Sequence, residues 1–330
     1  MEARAWWFVG PHAVELRREP IGHVGDGEVR VRTVYSGISS GTELLAYRGQ
    51  LDPAMPLDET IGALGGTFSY PFRYGYSAVG VVTESRAELA EGALVFAFHP
   101  HQDAFVVAAS DVVELGSIDA RQATLFPLVE TALQISLDAG PLAGEPVVVF
   151  GLGTVGLLTA LLLARGGARV VAVEVAPWRR ELAQTLGVEA VAADQLEAAL
   201  DAVEPTGRVP LAVEVSGNPA ALAQALGVVA HEGVVLVASW YGTKPVELAL
   251  GGDFHRRRIT LRSSQVSTIP AHLSSRWTPA RRRQATLDLL GELPLDALTT
   301  HTFAFDDAAA AYAALDTGTP GLMHAALGYS

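Results

Sequence analysis

Three glycines and one acid carry the strongest chemical signal in the chain. An apolar run, Val147 to Phe150, leads straight into Gly151-Leu152-Gly153-Thr154-Val155-Gly156. A glycine turn between a strand and a helix offers free backbone N–H groups at the helix N-terminus, where the dipole also favours a phosphate. In such a turn Gly151 permits the tight bend, Gly153 lets a pyrophosphate approach the backbone, and Gly156 lets the helix sit close on the strand. Glu174 ends a second β-branched run, Val170 to Val173. It falls 23 positions after the first glycine, close to the spacing of about 20 at which a carboxylate accepts hydrogen bonds from the adenosine ribose hydroxyls. That carboxylate repels a 2′-phosphate, so NAD is the expected cofactor and NADP the disfavoured one. Arg179 and Arg180 follow. They either soften that choice or serve as solvated helix residues.

The elements that must hold these residues alternate from Pro146 onward. Strands are expected near 147–150, 169–174, 188–192, 209–215, 233–239 and 259–263, and helices near 154–165, 177–186, 194–202, 218–230 and 280–291. Strand-helix alternation of this kind predicts a Rossmann-type doubly wound parallel sheet with right-handed crossovers. The first 120 residues read differently. Short β-type runs at 3–9, 28–35, 78–84, 94–98 and 104–108, separated by Gly-rich breaks, predict a β-barrel-like domain. Residues 118–139 carry a helical period through Leu125, Leu128, Val129, Ala132, Leu133 and Leu137. The tail is expected to be helical over 305–315, to close on a strand over 324–328, and to pack back on the first domain. The expected division is therefore α/β: residues 1–120, a dinucleotide domain at 121–262 inserted into the first domain, and a return at 263–330.

Composition excludes several functions. The formal net charge of −13 argues against nucleic acid and anionic membranes as partners. The runs Arg256-Arg257-Arg258 and Arg281-Arg282-Arg283 are too short to reverse it. The chain has no cysteine, which removes disulfides, thiolate catalysis and cysteine zinc sites. Lys244 is the only lysine, so any Schiff-base chemistry would rest on that residue. The N-terminal MEARAWWFVG lacks a basic region followed by an apolar core, and no apolar run is long enough for a membrane span. A cytoplasmic enzyme acting on a small molecule is the expectation.

The segments VRTVYSGISSGTELLAYRG (31–49), YGYSAVGVV (74–82), TAL (131–133), GLGTVG (151–156), EVSGNPAAL (214–222) and EGVVLVAS (232–239) together resemble the medium-chain dehydrogenase/reductase superfamily, that of the zinc alcohol dehydrogenases and quinone reductases. The resemblance covers nearly the whole chain. It implies a GroES-like β-barrel domain joined to a Rossmann domain, and commonly a homodimer. The dimer contact is expected at a Rossmann edge strand, near Gly233–Ala238 or Val246–Leu250. The form SGISSGTE resembles a zinc-less branch of the bacteriochlorophyllide dehydrogenase type. RSSQVS (262–267) and THTFAF (300–305) look more like members named only as zinc-binding dehydrogenases.

The departures from the zinc-dependent pattern decide the expected chemistry. Where the family has GxCGTD, this chain has Gly37-Ile38-Ser39-Ser40-Gly41-Thr42-Glu43, so Ser39 or Ser40 replaces the cysteine. Where it has GHE, the chain has Gly75-Tyr76-Ser77, and the third ligand position falls near Phe126-Pro127. A catalytic zinc needs three Cys, His or carboxylate ligands, so no zinc is expected. His99 and His101, in FHPHQD, are read as a polar turn rather than a substitute metal site. Hydroxyls must then handle the proton. Thr42 matches the family's relay hydroxyl, Tyr76 stands in for the lost histidine, and Ser40 and Glu130 are further candidates. Glu43 is either a buried acid or a structural acceptor. Thr131, Ser216 and Ser239 are expected to touch the cofactor, alongside Gly151, Gly153, Thr154, Val155, Gly156, Glu174 and Arg179. Trp240 and Tyr241 offer flat surfaces to an extended substrate. Two alternatives share these residues: a reductase of an activated C=C bond, and a catalytically inactive dinucleotide-binding protein.

Overall fold

The structure, a computed structural model, describes residues 1–330. It forms two compact units, one of Met1–Pro127 with Leu287–Ser330 and one of Leu128–Thr286.

The second unit is built on six strands in the spatial order Glu189–Val191, Arg169–Val173, Pro146–Phe150, Val209–Glu214, Val229–Val237, Thr260–Ser263. Every neighbouring pair is parallel. The first strand in sequence, Pro146–Phe150, lies inside the sheet and is buried at every position. The inner strands Pro146–Phe150, Arg169–Val173 and Val209–Glu214 are buried nearly throughout, which is why they read as unbroken apolar runs rather than alternating ones. Val148, Phe150, Val171, Ala212 and Val235 pack with Leu222, Ala225 and Leu226 as the core. The register aligns the strand ends: Phe150 lies beside Val173 and Glu214, and Glu214 beside Val237. The sheet therefore gathers the glycine turn, Glu174, Ser216 and Ser239 along one carboxyl edge, where strand order reverses and such sheets bind ligands.

This unit extends to Thr286, beyond the 262 read from sequence. The helix Pro279–Leu290 supplies the reason, because its Arg282 is joined to Glu130 and Gln134.

The first unit holds two sheets. One has the order Ala13–Pro20, Glu2–Gly10, Phe72–Arg73. The other runs His301–Ala304, Ala325–Gly328, Glu28–Ile38, Ala78–Ser85, Leu94–Ala97, Val112–Glu114, with Ala104–Ala108 also paired to Glu28–Ile38. This path does not close on itself, so the barrel expected here is corrected to an open, branched sheet. The long strand Glu28–Ile38 makes the branch. Register shifts at Arg30/Val31 and Thr33/Tyr35 bend it, and it serves three partners in turn.

Other differences are local. The helix expected over 118–139 begins at Phe126, after a 3₁₀ turn at Gln122–Leu125. Pro127 lies in its first turn, where a missing N–H costs nothing. The strand Ala13–Pro20 and the short helix Thr42–Tyr47 were not anticipated. Neither segment expected at the dimer edge is one: Val229–Val237 is paired on both sides, and Val246–Ala249 forms no strand. The edge strand on that side is Thr260–Ser263. No helix is long and apolar enough to cross a membrane.

Candidate active site

The glycine turn is fixed by sterics. Gly151 adopts φ +96° and donates its N–H to Val173. A Cβ on Gly156 would lie 2.0 Å from the Gly151 carbonyl oxygen, so the helix Thr154–Arg165 can approach the turn only with glycine there. Gly153 is the N-cap of that helix and, being glycine, makes no side-chain cap bond. Thr154 is buried and Val155 half-buried. A twelve-residue helix without a side-chain cap, closed over a glycine turn, fits a pyrophosphate.

Glu174 is buried and braces the same turn. One carboxylate oxygen accepts the Leu152 N–H at 2.7 Å and the other the Ala176 N–H at 2.9 Å. Each oxygen keeps a lone pair for a further donor. The two arginines divide. Arg180 donates to the carbonyls of Glu174 and Val175 at 2.7 and 2.9 Å, which commits it to the helix entry. Arg179 stands 3.8 Å from the Glu174 carboxylate and lies over the Trp178 ring.

A second buried acid organises the neighbouring strand end. Glu214 is fully buried; one oxygen accepts the N–H and hydroxyl of Ser216 at 2.8 and 2.5 Å, and the other accepts the Tyr241 hydroxyl. Burial and this carboxylate push the Tyr241 phenol well up. Gly217 donates to the Ser239 hydroxyl at 2.8 Å, and Lys244 donates to the Gly217 carbonyl at 3.1 Å. Ser216 and Ser239 thus occupy one network, tied by Glu214, Tyr241 and Lys244, none of which was singled out from sequence as its anchor. A lone acid ending an apolar strand beside serine was the available signal. Trp240 remains 39% exposed.

Glu130 requires a correction. Its carboxylate takes the Arg282 Nε–H at 3.0 Å in a buried ion pair, and Arg282 also donates to Gln134. It is a helix-to-helix brace, not a free base. Thr131, next along, is half-buried.

In the first unit, Ser39, Thr42 and Tyr76 come together. Tyr76 lies close to the Ser39 and Thr42 hydroxyls, which hold its phenol down, while burial and the nearby Glu43 prevail and push it up to about 12. Ser39 is buried and Ser40 half-buried, so Ser39 is the serine that meets the tyrosine. Glu43 is fully buried and accepts from three donors: the Ser39 N–H at 2.8 Å, the Tyr312 hydroxyl at 2.5 Å and His101 Nε2 at 2.9 Å. Phe126, at the third ligand position, is stacked on Phe96 with centroids 4.4 Å apart. His99 stacks on Phe105 and donates from Nδ1 to the Pro100 carbonyl; burial pulls its ring down to about 3, a neutral packed imidazole. These residues do not fit a catalytic zinc, and no three His, Asp or Glu side chains are placed together to ligate a metal.

Comparison with known proteins agrees with this architecture. The family profile described as zinc-binding dehydrogenase matches residues 154–283, which lie wholly within the second unit. A 2-desacetyl-2-hydroxyethyl bacteriochlorophyllide A dehydrogenase of Rhodobacter capsulatus is 28% identical over 94% of both chains. An L-threonine 3-dehydrogenase of Pyrococcus abyssi is 32% identical over 62% of this chain and 58% of its own. Among solved structures, an alcohol dehydrogenase from E. coli CFT073 complexed with NADH is 17% identical, with a TM-score of 0.79 over 99% of both chains. A zinc-binding dehydrogenase of Sinorhizobium meliloti 1021 bound to NADP is 18% identical, with a TM-score of 0.75 over 99% of both chains. With the order of its parallel sheet, the glycine turn and these relatives, the chain carries a domain that matches the zinc-binding dehydrogenase profile and is similar over its length to medium-chain dehydrogenases.

Proposed function

We propose that this enzyme interconverts an alcohol and a carbonyl with NAD(H) and without zinc. The observation that carries the reading is the Ser39–Thr42–Tyr76 hydroxyl cluster, at the positions where zinc-dependent relatives hold metal ligands and their relay. The bound nicotinamide supplies or accepts the hydride. Tyr76, neutral at physiological pH, donates a proton to the oxyanion that forms as a carbonyl is reduced, and takes it back in the reverse direction. Ser39 and Thr42 orient its hydroxyl, and Thr42 passes the proton on. Gly151, Gly153, Thr154, Val155 and Gly156 hold the pyrophosphate, Glu174 the adenosine ribose, and Thr131, Ser216 and Ser239 the nicotinamide half. The first unit is the catalytic domain on this reading and the second the dinucleotide domain. Turnover against alcohols, aldehydes and enones with NAD(H) tests it. Turnover of enones alone would replace it with C=C reduction, and no turnover of any class would leave a binding protein.

NAD(H) is expected to bind more tightly than NADP(H), since Glu174 accepts ribose hydroxyls and repels a phosphate, while Arg180 is already committed. Glu174→Ala should narrow the preference by about 1–3 kcal/mol, the range for a lost hydrogen bond to a charged group. The same change frees the Leu152 and Ala176 N–H groups, so the melting temperature should fall as well. Nucleotide fluorescence titrations decide, and NADPH binding as tightly as NADH contradicts the assignment.

The enzyme is also expected to dimerise, through the edge strand Thr260–Ser263 added across a two-fold axis. Light scattering that finds a monomer at all concentrations would remove this proposal.

A further inference from the structure

A chain of buried polar groups lies against the hydroxyl cluster, and the proton chemistry above leaves it unused. Tyr329 is hydrogen-bonded to Ser36 at 2.8 Å, Ser36 to His101 Nδ1 at 2.7 Å, and His101 Nε2 to Glu43 at 2.9 Å. Ser36, His101 and Glu43 are completely buried. His101 Nε2–H donates to the Glu43 carboxyl group, which also receives the Tyr312 hydroxyl and the Ser39 N–H, while the Ser36 hydroxyl joins His101 Nδ1 to the Tyr329 hydroxyl.

The imidazole touches both strands of chain that carry the cluster. Through Glu43 it reaches the Ser39 N–H. On its other side it lies under Gly75, where an added Cβ would stand 2.6 Å from Cδ2 and Nε2 of the ring and where φ is +100°. Gly75 directly precedes Tyr76, and the His101 N–H points to the Tyr74 carbonyl at 3.4 Å. The backbone entering Tyr76 is therefore shaped around this ring. His101 comes from the FHPHQD loop, not from the position of the lost GHE histidine.

Resting on the functional reading above, we propose that Glu43 and His101 are the positioning residues of the hydroxyl cluster. A buried carboxylate–imidazole pair holds the Ser39–Thr42 and Tyr76 segments together, the task that a shared metal performs by gathering its ligands.

The test uses three substitutions in the full-length enzyme. His101→Leu removes the donor to Glu43. His101→Gln restores an N–H near the Nε2 position. Glu43→Gln keeps the volume and removes the charge. His101→Leu should lower kcat at least tenfold while NADH affinity stays at the parent value, and His101→Gln should recover most of that loss. Independently of turnover, the Tyr76 phenol is followed by ultraviolet difference titration against Tyr76→Phe. The groups acting on it are Glu43 and Asp58, with the Tyr74 phenol close by. Removing the Glu43 charge should move its midpoint to lower pH. An unchanged kcat in His101→Leu, or equal loss in His101→Leu and His101→Gln, overturns the proposal, as does an unmoved midpoint in Glu43→Gln. The titration also decides should His101→Leu not fold. Full turnover by Tyr76→Phe would instead sink the catalytic reading.

Discussion

Replacing Tyr76 with Phe should lower turnover about 10²–10³-fold, the usual cost of losing one preorganised donor to a developing oxyanion. Burial and the nearby Glu43 push the Tyr76 phenol up to about 12, which keeps it protonated across the working range. Phenylalanine keeps the ring and its edge contact with Tyr74, whose centroid lies 6.1 Å away, so packing is preserved while the donor is lost. Affinity for NADH should stay at the parent value, because the glycine turn and Glu174 belong to the other compact unit. Thr42→Val should produce a smaller loss, since it removes an orienting partner and not the donor. The split between kcat and cofactor affinity is what stopped-flow and fluorescence titration would check. Near-full rates in both variants would remove Tyr76 and Thr42 from the mechanism.

Gly156→Ala should abolish tight dinucleotide binding and destabilise the protein. The new methyl would meet the Gly151 carbonyl oxygen at 2.0 Å and a Val215 methyl at 3.0 Å. The nearer obstacle is backbone, which cannot swing aside as a flexible side chain would. Either the helix Thr154–Arg165 lifts from the strand or the turn opens, and both move the N–H groups that would face a pyrophosphate. Overpacking of this kind typically costs about 1–3 kcal/mol. Thermal denaturation together with NADH titration measures both effects. A variant that binds NADH normally and melts with the parent would show that close helix-turn packing is not what the glycine provides.

The two predictions draw on parts of the chain that were unequally legible. The dinucleotide unit was readable because its signals are local: an apolar run buried on both faces, a glycine turn, and an acid at the next strand end. The family resemblance supplied the first unit's class, but not its open sheet. Closure depends on how Glu28–Ile38 shares its partners, and nothing in a strand's own residues states where its register will shift. The hydroxyl cluster was legible as a set of departures from a metal-binding pattern, yet its support was not. His101 lies 58 positions from Glu43, and Tyr312 lies 269. No periodicity or motif links residues so far apart; only folding brings three donors onto one acid. Glu130 failed for the same reason. It looked free because Arg282 is 152 positions away, and a buried guanidinium turns a candidate base into a brace. The edge strand was misread because alternation in VELAL mimics a strand, while the sheet takes Thr260–Ser263 as its last member.

The most direct test of a zinc-independent, NAD(H)-linked enzyme is alcohol oxidation by protein that has been dialysed against a strong chelator, with metal content measured on the same sample. The residues at the ligand positions are serine, tyrosine and phenylalanine, which do not make a zinc site. The account predicts undiminished NADH production with far less than one zinc per chain. Activity that disappears with the chelated metal and returns on adding zinc would contradict it.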